Sequence, residues 1–302
     1  MNICAVIVTY NRAELLEMVL KRFEEIVSPP DSIIIVDNNS TDRTSQVIND
    51  WFIKTKYKSK FLLSLNENIG GSGGFHEGFK YALTLKPDWI WVSDDDAFPE
   101  VDCFHVIRSK LAEINQSDYS AICGAVIDKG KIDVSHRRAL VKKYFFLQNQ
   151  KEIDIHEYEK DEFSIDLFSY VGVVINAKKL DKAGVTEREY FIWYDDTEHS
   201  WRLRKIGKIL CVPNAKINHD TLSSNTDISW KTFYGVRNKM LMYKKHAYLT
   251  YLYEMLLLKL KILLQIRSMR NSTTRDLYRR AIFSAKANRK GVDEKYKPGF
   301  KF

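Results

Sequence analysis

A chain of 302 residues, 45% hydrophobic and 28% charged, holds enough apolar material for one large core or two modest ones, which excludes a disordered tail and a small stapled fold. Its net charge of +8 is uneven: from Lys231 onward 18 Lys and Arg face 4 Asp and Glu, a net of +14, leaving 29 against 35, a net of −6, for residues 1–230. The four cysteines, Cys4, Cys103, Cys123 and Cys211, show no paired spacing, so a reduced, cytoplasmic setting is expected and a zinc knuckle is not.

In chain order, "ICAVIVT" is uniformly apolar, as a parallel strand covered on both faces must be, and too short for a signal peptide. Leu15, Leu16, Val19, Leu20 and Phe23 follow at helical spacing. Then come "SIIIVD", a polar turn "NNSTD", a helical stretch around Val47 to Phe52, "KFLLSL", a glycine-rich turn "NIGGSGG", a helix from about Phe75 to Leu85, and the strand "WIWVS". Repeated strand-turn-helix units predict an α/β fold with a mostly parallel sheet and helices on both faces. Ligands of such sheets sit at the carboxyl ends of the strands, where Thr9, Asp37 and Asp94 to Asp96 fall.

Three acids directly after a Trp-rich strand need a reason. A solvated turn more often uses one Asp with Gly or Asn. Paired carboxylates with few nearby His or Cys suit a hard cation, Mg²⁺ or Mn²⁺, that also takes oxygens from a substrate phosphate. The glycine stretch "GGSGGFHEG" is not a dinucleotide fingerprint: from Gly71 the pattern meets His76 where its last glycine belongs, and it follows the third strand. It is either a flexible turn or a helix start whose amides approach a ligand. No Walker pattern is present.

Taken together and in order, "VIVTYNR", "IIVDNNSTD", "NIGGSGGFHEGF", "WIWVSDDDAFPE" and "YFIWYDDTEHSWRLRKIGK" resemble the family 2 glycosyltransferases over roughly Asn2 to Asp220. Within that family the chain looks most like bacterial galactofuranosyltransferases, with rhamnosyltransferases next. The resemblance implies the Rossmann-like GT-A fold over residues 1–230, with residues 231–302 as a basic helical extension. It implies a nucleotide-sugar pocket from Thr9, Tyr10, Asn11, Arg12, Asp37, Asn39, Gly70, Gly71, Gly74, Asp94 and Asp95, in which Asp37 accepts from the base NH and Asp95 lies toward ribose or sugar. Asp94 and Asp96 would hold Mn²⁺ or Mg²⁺, with His219 completing the site unless it is a structural histidine.

Sugar transfer needs an acceptor hydroxyl to lose its proton, and a carboxylate within reach takes it. By resemblance Asp196 is that base, Asp195 and Glu198 orient the acceptor or the base, and Trp193 and Tyr194 pack on the acceptor side, Tyr194 standing where Trp is common. The same acids also begin a helix whose bases come last, an order the helix dipole favours by itself. Tyr234, Arg237 and Asn238 form a Y-x-x-R-N pattern in which Arg237 contacts a diphosphate or is a plain surface arginine.

The implied activity is metal-dependent, inverting transfer of galactofuranose from a UDP-sugar to a glycan or lipid-linked saccharide in cell-surface polysaccharide synthesis. Rhamnose from dTDP-rhamnose is the alternative. Rivals from other classes are a nucleotidyltransferase, which needs a more basic loop than "TYNRAELL" after the first strand, and a nucleic-acid-binding protein. Against the latter, the net positive charge is confined to the end of the chain and no RRM, KH or zinc-finger pattern appears.

The stretch Ala247 to Ile266 is apolar around most of a helix, with Thr250, Glu254, Lys261 and Gln265 as a narrow polar stripe and Lys259 and Lys261 too central for a spanning helix. Arg267, Arg270, Arg275, Arg279, Arg280, Lys286, Arg289 and Lys290 follow it. Such a segment lies on the inner face of an anionic membrane, packs on the catalytic domain, or meets a second subunit.

Overall fold

The structure is a computed structural model, and it describes residues 1–144, 146–219, 228–266, 269 and 271–301. The first half alternates as expected: β1 (Ile3–Thr9), α1 (Ala13–Glu25), β2 (Ser32–Asp37), α2 (Thr44–Lys54), β3 (Lys60–Ser64), α3 (Gly70–Thr84) and β4 (Trp89–Asp94). There follow β5 (Phe98–Pro99), α4 (Cys103–Glu113), β6 (Tyr119–Asp128), β7 (Lys131–Ile132), β8 (Arg137–Lys143), β9 (Leu147–Glu152), β10 (Phe163–Ile165), β11 (Leu167–Phe168), β12 (Val171–Asn176), α5 (Ala177–Ala183), α6 (Asp195–Arg204) and β13 (Lys208–Asn218). Three helices end the chain: α7 (Trp230–His246), α8 (Tyr248–Leu263) and α9 (Ser272–Lys286).

The main sheet runs β10-β13-β6-β12-β4-β1-β2-β3, with β5 beside β13 and β7 beside β6. Its β4-β1-β2-β3 portion is parallel throughout, and β12 enters antiparallel between β4 and β6. Side chains alternate across the pleat. Ile3, Ala5 and Ile7 therefore join α1, α2 and α4 in one core, and Cys4, Val6 and Val8 join Phe75 and Phe79 of α3 in the other. A one-residue slip would exchange the two sets, so burial on both faces fixes the register. The four cysteines are buried and free.

The glycine-rich stretch is not a turn. Gly70 to Gly74 already belong to α3. Their function is close approach: a Cβ on Gly74 would lie 2.5 Å from Val8 Cγ1, and one on Gly78 would lie 2.5 Å from Val6 Cγ1. Each glycine inside the helix costs about 1 kcal/mol against alanine, which contact with β1 offsets.

Strands β11, β8 and β9 form a separate three-stranded sheet, and the tip of its β8–β9 hairpin carries exposed Tyr144 and Phe146. The hairpin is tied to α8, where the Gln148 amide donates to Thr250 Oγ1 at 2.8 Å. Helix α7 packs through Met240 and Tyr243 on Tyr190 and Trp201, and through Phe233 and Tyr234 on Phe191.

The polar stripe is split: Lys261 and Gln265 are exposed, but its first two members are not solvated as a free face would be. Thr250 is 3% exposed and Glu254 is paired with Lys239 at 3.2 Å, while Leu249, Leu252, Leu256, Leu260 and Leu263 face solvent. No helix among the described residues is long and apolar enough to cross a membrane. Arg267 and Arg270 lie outside the described residues.

Candidate active site

From β1 the chain passes to β2 and β3 on one side, then returns to place β4 on the other, so strand order reverses between β1 and β4. Helix crossovers leave a crevice at the carboxyl ends of such strands. A cavity of about 620 Å³ opens there, within the size range of small-molecule sites. One wall holds Thr9, Tyr10, Arg12, Gly70, Gly71 and Asp94 to Asp96, and the other holds Trp193, Tyr194, Asp195 and Asp196.

The strand-end wall is a knot of charge. Thr9 Oγ1 donates to Asp95 Oδ2 at 2.7 Å, and Arg12 Nη1 donates to Asp95 Oδ1 at 3.0 Å and to Asp96 Oδ2 at 2.6 Å. Burial and then the charges of Asp96 and Asp95 push the Asp94 carboxyl well above the usual carboxylate range. Burial raises Asp95 to about 6, with Arg12 opposing it. Asp96 is held low, because contacts from His219 and Arg12 outweigh its burial.

This donor set suits a cation that the ligand helps to bind. His219 Nε2 stands 3.3 Å from Asp96 Oδ1, within ion-pair range but off the line of a hydrogen bond, so that buried oxygen is unpartnered. Among the described residues no group of three or more His, Cys, Asp or Glu forms a ready-made cage. Two carboxylates with open valences, completed by phosphate and water, are the usual way Mg²⁺ is held.

The opposite wall is strained. Phe191, Trp193 and Tyr194 have φ of 69°, 65° and 66°, left-handed values that bulky residues adopt only under constraint. The constraint comes from α7. Asn238 Nδ2 donates to the carbonyls of Tyr190, Ile192 and Trp193 at 2.9, 3.0 and 2.9 Å. Arg237 donates to the carbonyls of Gly291 at 2.6 Å, Glu189 at 3.3 Å and Tyr190 at 3.2 Å. A Cβ on Gly235 would lie 2.7 Å from Trp193 Cε3, and one on Gly70 would lie 2.0 Å from the Phe191 carbonyl oxygen, so both glycines make room for the loop. The loop delivers Asp195 and Asp196 to the first turn of α6, where burial and the neighbouring Asp196 raise Asp195 to about 8.

Several expected site residues stand elsewhere. Arg237 contacts no open space: it is 2% exposed, spends its guanidinium on carbonyls and stacks 5.0 Å from the Tyr234 ring, and burial lowers it to about 10. Glu198 is fully buried on the far side of α6, since two residues from Asp196 is about 200° around a helix. There it meets Arg202 at 2.9 Å, Lys245 at 2.8 Å and His246 at 2.9 Å, which outweigh its burial and hold it well below the usual range.

Asn11, Asp37, Asn39 and Gly74 do not line the cavity. Asp37 Oδ1 accepts from the Ser40 amide at 2.9 Å, Asn11 Oδ1 accepts from the Thr41 amide at 2.7 Å, Asn39 takes a φ of 64° in the same turn, and Gly74 packs on Val8. Asn38 lines the wall instead, bracing α3 through the Gly70 carbonyl at 2.9 Å. His219 lies in the cavity wall with Asp94 and Asp96.

Sequence reasoning missed three basic wall residues. His136 meets the His219 ring edge-on at 5.3 Å, and Arg138 reaches Thr197 Oγ1 at 3.0 Å while its Nε has no partner. Lys231 stands near Arg12, and burial and that neighbouring charge lower it from its ordinary value. The dense "SHRR" run was the available signal for the first two.

Among curated proteins, the chain is 29% identical to the galactofuranosyltransferase GlfT1 of Mycolicibacterium smegmatis over 68% of its own length and 66% of that protein. It is 27% identical to the poly-beta-1,6-N-acetyl-D-glucosamine synthase of Staphylococcus epidermidis over 39% of its length and 32% of that protein. The chain thus spans just under two thirds of the first relative and about a third of the second. Among solved structures, the mannosyltransferase PcManGT of Pyrobaculum calidifontis in complex with GDP-Man and Mn²⁺ matches with a TM-score of 0.59 at 14% identity, over 95% of this chain and 87% of that one. S. aureus TarS 1–349 with UDP-GlcNAc matches with a TM-score of 0.59 at 11% identity, over 94% and 81%. These likenesses establish the GT-A fold. The model of glycosyl transferase family 2 matches residues 4–169, more than half of the chain, and the chain belongs to that family.

Proposed function

We propose that the chain transfers a sugar from a nucleoside diphosphate donor to a glycan or lipid-linked saccharide, with inversion, in cell-surface polysaccharide synthesis at the cytoplasmic face of the membrane. UDP-galactofuranose is the donor on this reading, supported by the similarity to a galactofuranosyltransferase; dTDP-rhamnose is the second choice. The observation that carries it is a pair of acid clusters, Asp94 to Asp96 and Asp195 with Asp196, on facing walls of one cavity at the reversal point of a parallel sheet.

Two acid clusters with a gap between them suit two separate tasks. Asp196 takes the proton of the acceptor hydroxyl as its oxygen bonds to the anomeric carbon and the bond from that carbon to the diphosphate breaks. Attack from the wall opposite the departing diphosphate inverts the carbon. Asp195, protonated up to about pH 8, adds no second negative charge beside the base. Arg12 and Lys231 face the leaving diphosphate with positive charge. Asp94, Asp96 and His219 would hold Mn²⁺ or Mg²⁺, which would supply charge neutralisation for the departing diphosphate. Thr9 and Asn38, which line the cavity, receive the nucleoside, and Trp193 and Tyr194 receive the acceptor sugar, whose ring face suits an aromatic surface.

The test is calorimetric titration with UDP, dTDP and GDP, each with and without Mn²⁺. Metal-dependent binding of UDP or dTDP is expected. Silence with every diphosphate under both conditions would remove the donor site and the proposal with it.

A further inference from the structure

We propose that the solvent-facing leucines of α8 and the tip of the β8–β9 hairpin form one docking face for an anionic lipid bilayer. It rests on the preceding reading only in giving the acceptor a lipid anchor; docking itself is measured without turnover.

Leu249, Leu252, Leu256, Leu260 and Leu263 are 56%, 45%, 57%, 41% and 74% exposed. At about 100° per residue they fall within an arc of roughly 80°. The other side of α8 is occupied: Tyr251, Met255, Leu258 and Ile262 pack against the body. A soluble surface rarely leaves so regular an apolar row uncovered. Beside it stand Tyr144 and Phe146, 59% and 63% exposed, at the hairpin tip. Thr250 of α8 exchanges hydrogen bonds with the Gln148 backbone at 2.8 and 3.3 Å, which fixes the hairpin against the helix.

Charge selects the occupant. Lys142 and Lys143 flank the aromatic tip and Lys259 and Lys261 flank the leucines, all exposed, while Glu254, the acid of α8, is neutralised by Lys239. Two copies meeting through this face would bring eight lysines together, with Glu254 of each helix already paired to Lys239. Anionic headgroups supply the missing counter-charge, and an apolar row bordered by lysines is the arrangement that seats a helix in a bilayer interface. The hairpin also gives the face its relation to catalysis. Arg138, in the cavity wall, and Lys143, at the tip, share β8, and five residues at about 3.3 Å each put them roughly 17 Å apart. A lipid-linked saccharide held at the bilayer surface spans such a distance.

The experiment is co-sedimentation of the full chain with vesicles of phosphatidylglycerol and phosphatidylethanolamine, and with vesicles of phosphatidylcholine, at about 0.1 M salt. The protein is expected to pellet with the first and stay in solution with the second. Leu256→Ser with Leu260→Ser, and separately Tyr144→Ser with Phe146→Ser, are each expected to lower partitioning about tenfold or more. Lys142→Gln with Lys143→Gln is expected to weaken it in a way that added salt mimics. UDP titration and thermal melting of each variant show that the body is intact.

The proposal is overturned if the unaltered protein ignores anionic vesicles. It is also overturned if the leucine pair still binds them while light scattering shows a dimer turned to monomer, which assigns the row to a second copy. Vesicle binding without any diphosphate binding would sink the glycosyltransferase reading and leave the docking face standing.

Discussion

The strand-end wall takes its acids from three adjacent positions and sets them by parallel register, with Val8 beside Asp94 and Thr9 beside Asp37. The facing wall takes Asp195 and Asp196 from a helix whose approach is held by Asn238, 45 to 48 positions away from the carbonyls it binds. One wall follows from the sheet itself. The other is imposed on a strained loop from a distance, so the two should respond differently to substitution.

Asp196→Asn should give the largest separation, lowering turnover by roughly 10² to 10⁴ while UDP affinity holds. Asp94→Ala should do the reverse, removing metal-dependent UDP binding by calorimetry. Ordinary turnover in Asp196→Asn would take the base role from that residue.

Asn238→Asp comes next, because it turns three donated hydrogen bonds into a carboxylate facing three carbonyls. We expect a fall in kcat of about tenfold to a hundredfold through lost positioning, a lower melting temperature and unaltered UDP affinity. If UDP affinity falls in step with kcat, the walls are not independently held.

Gly235→Ala should be milder. A methyl 2.7 Å from Trp193 Cε3 displaces the indole, costing about 1–3 kcal/mol of stability and raising the acceptor KM more than it lowers kcat.

The last effect is on stability and not on turnover, and lies in its pH dependence. With Asp195 raised to about 8, the folded chain carries a proton there between about pH 4 and 8 that the unfolded chain has lost. Stability of the metal-free protein therefore falls as pH rises through that window. Asp195→Asn should flatten the fall in denaturant titrations at pH 5 and pH 8, and an unchanged slope would mean that Asp195 does not hold the proton.

What was legible in the sequence follows the same division. Runs such as "SIIIVD" and "WIWVSDDD" announce buried parallel strands and the acids at their ends, because a strand covered on both faces has no polar alternative. The sequence leaves the glycines of α3 between a turn and a helix start, and the structure makes them the helix start; glycine marks conformational freedom and close packing with the same letter. Arg237 illustrates the harder limit. Nothing local tells an arginine that grips phosphate from one that grips carbonyls; the difference lies in a loop 47 or 48 residues away. The α8 segment reads as apolar around most of a helix with a narrow polar stripe, and only packing reveals that Thr250 of that stripe turns inward while Leu249, Leu252, Leu256, Leu260 and Leu263 turn outward.

Gly70 joins the walls. Its missing side chain lets the Phe191 carbonyl descend onto the first turn of α3, where the Ser72 amide donates to it at 3.2 Å. The segment that meets one substrate is thereby the floor under the segment that meets the other. Exchanging the 187–194 loop for that of a relative with a different acceptor would carry a hidden requirement, because the incoming loop and the start of α3 form one inheritable unit. Chimeras that move both together should fold and bind donor, and those that move the loop alone should collide at residue 70.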